Sequence, residues 1–207
     1  MLKNITIKLS KTILNRIKLL KDIHKGETCI LIGDGVSIKY FDLSSFATEI
    51  SFCVGNMMFH NQFNLLNCKY YSILEPYYFY PYIKVPRTKN KFFRNKIQKE
   101  YRNFIKAKEK INFFINLSNY PVLWNSNIFY LYKGLPEKDF KFMQEWNNHN
   151  RIYNEDSIYK GSLRGAISLS IYMGFKKIVL VGFDYTHEQA MSKHWFEKGK
   201  GLKKKNN

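Results

Sequence analysis

Thr28-Cys29-Ile30-Leu31-Ile32-Gly33-Asp34-Gly35-Val36-Ser37 is the stretch whose reading decides the fold. Its first half is a short apolar run rich in β-branched residues, which predicts a buried strand. Two glycines one residue apart end that strand. Glycine tolerates positive φ and lets a backbone approach a neighbour or ligand closely. Ser37 follows as an N-cap for a helical turn. A strand, a glycine turn and a helix start together make an anion site, because unpaired backbone N–H groups point outward there. In open α/β sheets ligands bind beyond the carboxyl ends of the strands. Gly33, Asp34, Gly35 and Ser37 are therefore expected to form one wall of a nucleotide site. The turn lacks the third glycine of a dinucleotide fingerprint and the G-K-[ST] of a phosphate-binding P-loop. A tight turn with no ligand is the competing reading.

Working outward, residues 50–54 read as a second strand closed by Gly55 and Asn56, and residues 70–74 as a third ended by Glu75-Pro76. Proline cannot continue a central strand. Three successive strands thus end in small or polar residues, which places Asn56 and Glu75 beside the glycine turn as site candidates. Residues 38–47 read as a short helix or turn with Asp42 and Ser44 as local caps, and residues 57–66 as a helix. Residues 111–115 and 128–131 supply two more strands, the latter at an edge. Pro136 heads a helix over 137–146. Residues 161–174 form a second organising piece: Ser162, Ala166, Ser168 and Ser170 are small, so a helix here can press against a sheet, and Gly174 ends it as a C′ residue. The run 177–181 then predicts a buried parallel strand closed by Gly182-Phe183-Asp184, which adds Asp184 to the site. Strands alternating with helices give βαβ units. The expected fold is α/β and Rossmann-like, with a mostly parallel sheet and helices on both faces.

The chain has 207 residues, enough for one domain with a full core, and 45% are apolar. Its organisation reads as a basic amphipathic helix over 1–26, a nucleotide-binding domain over 27–186, and a basic tail over 187–207. The tail brings no further core element, which predicts an incomplete C-terminal portion. The net charge of +18 favours anionic partners, although Lys, Asn, Ile, Tyr and Phe are abundant everywhere, a bias an AT-rich genome produces without selection for charge. Cys29, Cys53 and Cys68 are scattered, which fits buried thiols and neither a disulfide framework nor a zinc pattern. No apolar run is as long as a membrane span. The helix over 9–23 carries lysines between its apolar positions; it is expected to pack on the sheet, with peripheral contact to an anionic membrane as the alternative. The aromatic run 76–86 is expected to pack over the core, and a stacking platform is its alternative. The basic stretch 84–110 is expected to be an amphipathic surface helix; a nucleic-acid-binding helix would look similar, but nucleic acid is not the expected partner.

With these pieces in place, the motif G-D-G-V-S-I-x-x-x-D over 33–42 resembles the opening of the Campylobacter-type bacterial sialyltransferases. The run from Gly161 to Tyr185, ending K-I-V-L-V-G-F-D-Y, is similar to a later segment of that family. V-G-N-M-M-F over 54–59 and C-K-Y-Y…E-P over 68–76 fall between them in the same order. The flagellin-modifying glycosyltransferases (motility accessory factors) and the archaeal pterin diphosphokinases share a similar layout. The resemblance implies metal-independent, inverting transfer of a sugar from a nucleotide donor, sialic acid from CMP-sialic acid in that family, to a glycan acceptor of lipopolysaccharide or capsule. It implies a cytoplasmic enzyme at the inner face of the membrane, with no cofactor beyond the donor substrate. Carried over by position, Gly33, Asp34, Gly35, Asn56, Glu75 and Ser162 would line the donor site. Asp34 and Glu75 stand where the family has amides, so the donor is expected to differ or the carboxylates to face the ribose or base. His194 matches the family's first histidine and is the expected general base, with His187 behind it; Lys198 replaces the second. Two other readings stand beside this one: a chain that binds nucleotide without turnover, and a nucleic-acid-binding module using 84–110.

Overall fold

The computed structural model describes residues 10, 12–80, 91–131 and 162–184. Six strands form one all-parallel sheet: β1 (Thr28–Ile32), β2 (Ile50–Val54), β3 (Asn67–Ile73), β4 (Asn112–Asn116), β5 (Ile128–Leu131) and β6 (Lys177–Val181). Their order is β5-β4-β3-β2-β1-β6. The chain steps one way from β1 to β5 and then returns to lay β6 on the other side of β1. Strand order therefore reverses at β1, whose carboxyl end carries the glycine turn. The inner strands are apolar on both faces because both faces are covered.

Helix α1 (Lys91–Ala107) and helix α2 (Ser162–Tyr172) cover opposite faces. Directly paired residues share a face, so the register Leu31 to Phe52 to Tyr70 puts Cys29 and Leu31 on one side and Tyr71 on the other. On the first side α2 packs over β1, β2 and β3, and the Ser170 hydroxyl lies 3.9 Å from the Cys29 thiol. On the second, Phe104 of α1 meets Tyr71 and Phe113 edge to face. Small residues on α2 let it press onto β1, as their spacing predicts: Ala166, Ser168 and Ser170 are buried.

Residues 12–14 continue a helical turn into a 3-10 turn over Asn15–Leu20. Leu14, Ile17 and Leu20 are buried in the core, on the α2 side of the sheet, where the Arg16 guanidinium stacks over Phe129. The expected packing of this segment on the sheet is what the chain does. At the base of the sheet the His24 ring joins the Glu27 carboxylate through Nδ1 and the Tyr70 hydroxyl through Nε2 at 2.6 Å, stacked on Phe175.

Residues 38–47, read as a short helix or turn, fold as 3-10 turns over Val36–Tyr40 and Leu43–Phe46. Three expectations change. Residues 57–66 fold not as a helix but as 3-10 turns over Met57–Phe59 and Phe63–Leu65. Each is too short for α-helical propagation to offset its nucleation cost. Ser37 is not the N-cap; Gly35 is. Asp42 caps as expected, accepting from the Ser44 N–H at 3.1 Å. β6 is not a buried strand: it is the end of the sheet among the described residues, and Leu180 is 49% exposed because α2 lies over β1–β3 instead. The aromatic run packs inward as expected where it is described, with Phe79 buried and held by Arg102, whose guanidinium donates to the Phe79 and Val122 carbonyls at 2.8 and 2.7 Å. No described helix is long and apolar enough to cross a membrane. The predicted helix over 137–146 lies outside the described residues.

Candidate functional site

The two glycine pieces meet at one rim. The Gly33 N–H donates to the Val181 carbonyl at 2.8 Å, the Gly35 N–H to the Gly182 carbonyl at 2.9 Å, and the Ser37 N–H to Asp184 Oδ2 at 2.7 Å. The turns after β1 and β6 are thus stitched together side by side. Glycine is required by this closeness. A Cβ on Gly33 would stand 2.6 Å from the Gly182 carbonyl oxygen, and one on Gly35 only 2.3 Å from Asp184 Oδ2.

This stitching corrects the sequence reading of the turn. The N–H groups of Gly33, Gly35 and Ser37 were expected to face an anion; they are donated within the protein instead. Asp184 consequently acts as a remote cap for the 3-10 turn over Val36–Tyr40, a role the sequence reading did not assign it.

Asp34 projects to the other side, toward the turn after β2. Its Oδ2 accepts from the Asn56 N–H at 2.9 Å and from Asn56 Nδ2 at 3.1 Å. Gly55, at φ +65°, leaves room for that carboxylate. Two buried phenols hold the same turn from below. Tyr71 donates to the Gly55 carbonyl at 2.7 Å, and the single Tyr101 hydroxyl proton is shared between that carbonyl and Asn56 Oδ1, 2.9 Å away. Burial pushes both phenols well up, so they remain protonated donors. The Asn56 amide is therefore fixed at both ends, nitrogen to Asp34 and oxygen to Tyr101. Asp34 uses two of the roughly four acceptor positions a carboxylate offers.

Glu75 follows β3 on the same rim, and its carbonyl accepts from Asn119 Nδ2 at 3.2 Å. The residue is solvent-exposed, yet protein atoms crowd its carboxyl group. That crowding raises the carboxyl pKa; its own backbone N–H offsets part of the rise, and the Asp34 charge adds to it. The folded chain therefore holds the Glu75 proton more tightly than the unfolded chain does. Below the ordinary value of 4.5 both states are protonated; as pH rises past it the unfolded chain ionises first, and stability falls. Glu75→Gln is expected to leave stability unchanged in acid and to raise it slightly at neutral pH, because solvent screens an accessible group. Urea midpoints of both proteins across that range check this.

Ser162 begins α2. The helix runs antiparallel to the strands: its residue Ser170 sits over Cys29 at the start of β1, so the eight steps back to Ser162 carry the helix start about 12 Å toward the rim. The structure therefore brings Gly33, Asp34, Gly35, Ser37, Asn56, Glu75 and Asp184 to one end of the sheet, the end toward which α2 begins at Ser162. His187 and His194 lie outside the described residues. Sequence reading missed Tyr71 and Tyr101, which fix the turn after β2. Their side chains are spaced as core residues, and only the identity of the atoms above them reveals the hydroxyls' role. Compared with models of known protein families and with curated proteins, the chain matches none of them.

Proposed function

We propose that the chain is a glycosyltransferase of surface-polysaccharide assembly, taking its sugar from a nucleotide donor and working at the cytoplasmic face of the membrane. The observation that carries this reading is the rim itself: a parallel sheet whose strand order reverses at β1, with Asp34 and Asn56 locked side by side at the reversal. Carboxylates and a fixed amide suit the hydroxyls of a ribose or sugar better than a phosphate. The start of α2 at Ser162 offers N–H groups to the phosphate at the same rim. The resemblance of residues 33–42 and 161–185 to the sialyltransferases supports CMP-sialic acid as the first donor to try. In this mechanism a base takes the acceptor's hydroxyl proton while the acceptor oxygen attacks the anomeric carbon, and the nucleotide leaves with inversion. His194, backed by His187, is assigned that base, with no metal taking part.

Incubating the purified chain with CMP-, UDP- and GDP-sugars, and following donor hydrolysis and binding, tests the proposal. It expects one nucleotide class to be bound and slowly cleaved. Failure of all three to bind would end it. Binding without cleavage, unaltered by His194→Ala, would instead favour a nucleotide-binding chain without turnover. The basic helix α1 gives less support to a nucleic-acid reading, since Arg102 is spent on backbone carbonyls.

A further inference from the structure

Both turns that leave the rim run on into one wall each of a second cavity. Gly35 is the N-cap of the 3-10 turn ending at Tyr40, and Asn56 is the N-cap of the one ending at Phe59. Between them lies a solvent-open depression of about 490 Å³. Three aromatic rings line it and remain solvent-accessible: Tyr40 at 75%, Phe41 at 44% and Phe59 at 37%. Exposed aromatics scattered singly need no explanation; here three share one depression, within reach of a single small ligand.

The walls are braced. Gln62 Oε1 accepts from the Leu43 N–H at 3.0 Å, and its Nε2 donates to Asp42 Oδ1 at 3.2 Å, tying the segment after β2 to the segment after β1. His60, on the inner side, accepts from the Gln62 N–H through Nδ1 at 3.2 Å, which leaves the neutral ring its proton on Nε2. Burial lowers its pKa and so favours the neutral ring. The Lys39 ammonium stands 4.9 Å over the Tyr40 ring. Aromatic rings, one of them capped on a face by an ammonium, beside a carboxylate and amides match a pyranose, whose C–H faces stack on aromatic rings while its hydroxyls both donate and accept.

We infer that this cavity binds a sugar ring, and that it is the glycan-acceptor site of the enzyme proposed above. A 3-10 turn rises about 2 Å per residue, so Tyr40 stands about 10 Å from Gly35, within reach of a donor lying on the rim. The inference rests on the glycosyltransferase reading for the acceptor role, and on the cavity alone for sugar binding.

Saturation-transfer NMR on the full chain with methyl β-galactopyranoside and methyl β-glucopyranoside tests it. Irradiating aromatic protons is expected to transfer saturation to one or both sugars at millimolar concentration. Tyr40→Ala is expected to weaken that binding about tenfold, while Trp124→Ala, an exposed aromatic away from the cavity, leaves it unchanged. No transfer to either sugar overturns the inference, as does binding by Tyr40→Ala equal to that of the original chain. CMP, UDP or GDP displacing the sugar would also overturn it, since the cavity would then hold the nucleotide. Donor cleavage without sugar binding sinks only this inference; sugar binding without any nucleotide binding sinks the enzyme reading and the acceptor role while leaving the sugar site.

Discussion

Gly182→Ala lowers the stability of the chain by about 3 kcal/mol. Two causes add. Gly182 has φ +73°, a left-handed conformation that costs an L-residue about 1 kcal/mol or more. Its new Cβ would also stand 2.7 Å from the Gly33 carbonyl oxygen and 3.0 Å from the Ile38 side chain. The near atom is backbone of a central strand's end, fixed by the bond from the Gly33 N–H to Val181, so relief requires separating the two turns. Urea denaturation checks the magnitude. Gly26→Ala is the comparison: it too has positive φ, at +87°, but a Cβ there meets nothing within 4 Å. It should cost only the conformational part, about 1 kcal/mol. Equal losses in the two variants would show that the stitched turns are not the tight contact described above.

Asp34→Ala is expected to destabilise the chain by about 2–3 kcal/mol and, under the donor site proposed above, to weaken nucleotide binding at least tenfold. The substitution removes the acceptor for both the Asn56 N–H and its amide, and leaves the Gly55–Asn56 turn held only from below by Tyr71 and Tyr101. Asp34→Asn separates the structural part from the functional one. An amide oxygen still accepts from Asn56, so stability should stay within about 1 kcal/mol of the original. Its lost charge also lowers the Glu75 pKa, because the Asp34 carboxylate is one of the groups raising it. Thermal melts of the three proteins, with and without the nucleotide found in the donor assay, read both effects. A stable Asp34→Ala protein would mean that the bonds to Asn56 contribute little.

Much of the fold is legible in the chain. All six strands fall within a few residues of where short β-branched and aromatic runs place them, because a parallel strand buried on both faces needs a continuous apolar run and little else does. The alternation of those runs with helical spacing already implies a parallel sheet, and glycine or polar residues at the strand ends point to the rim. The helix over residues 162–172 is readable from its small side chains, since only such a face lets a helix sit tight on a sheet.

The site is less legible, for a reason its residues make plain. Asp184 is an acid after a strand, and nothing local says that its carboxylate caps an N–H at Ser37, 147 positions earlier. The glycine N–H groups look available because sequence shows no partner for them, and the fold supplies one from β6. Tyr71 and Tyr101 look like ordinary core aromatics until the carbonyl of Gly55 lands on both hydroxyls. The cavity walled by Tyr40 and Phe59 arises only when the segments after β1 and β2 come together, since each aromatic alone is unremarkable in its own sequence. The order of residues thus determined which segments become strands and where the chain turns, because those depend on neighbours a few positions away. Which turns touch, which N–H groups are consumed and which strand ends the sheet among the described residues were decided only by tertiary packing, because each is a contact between residues that local preference cannot relate.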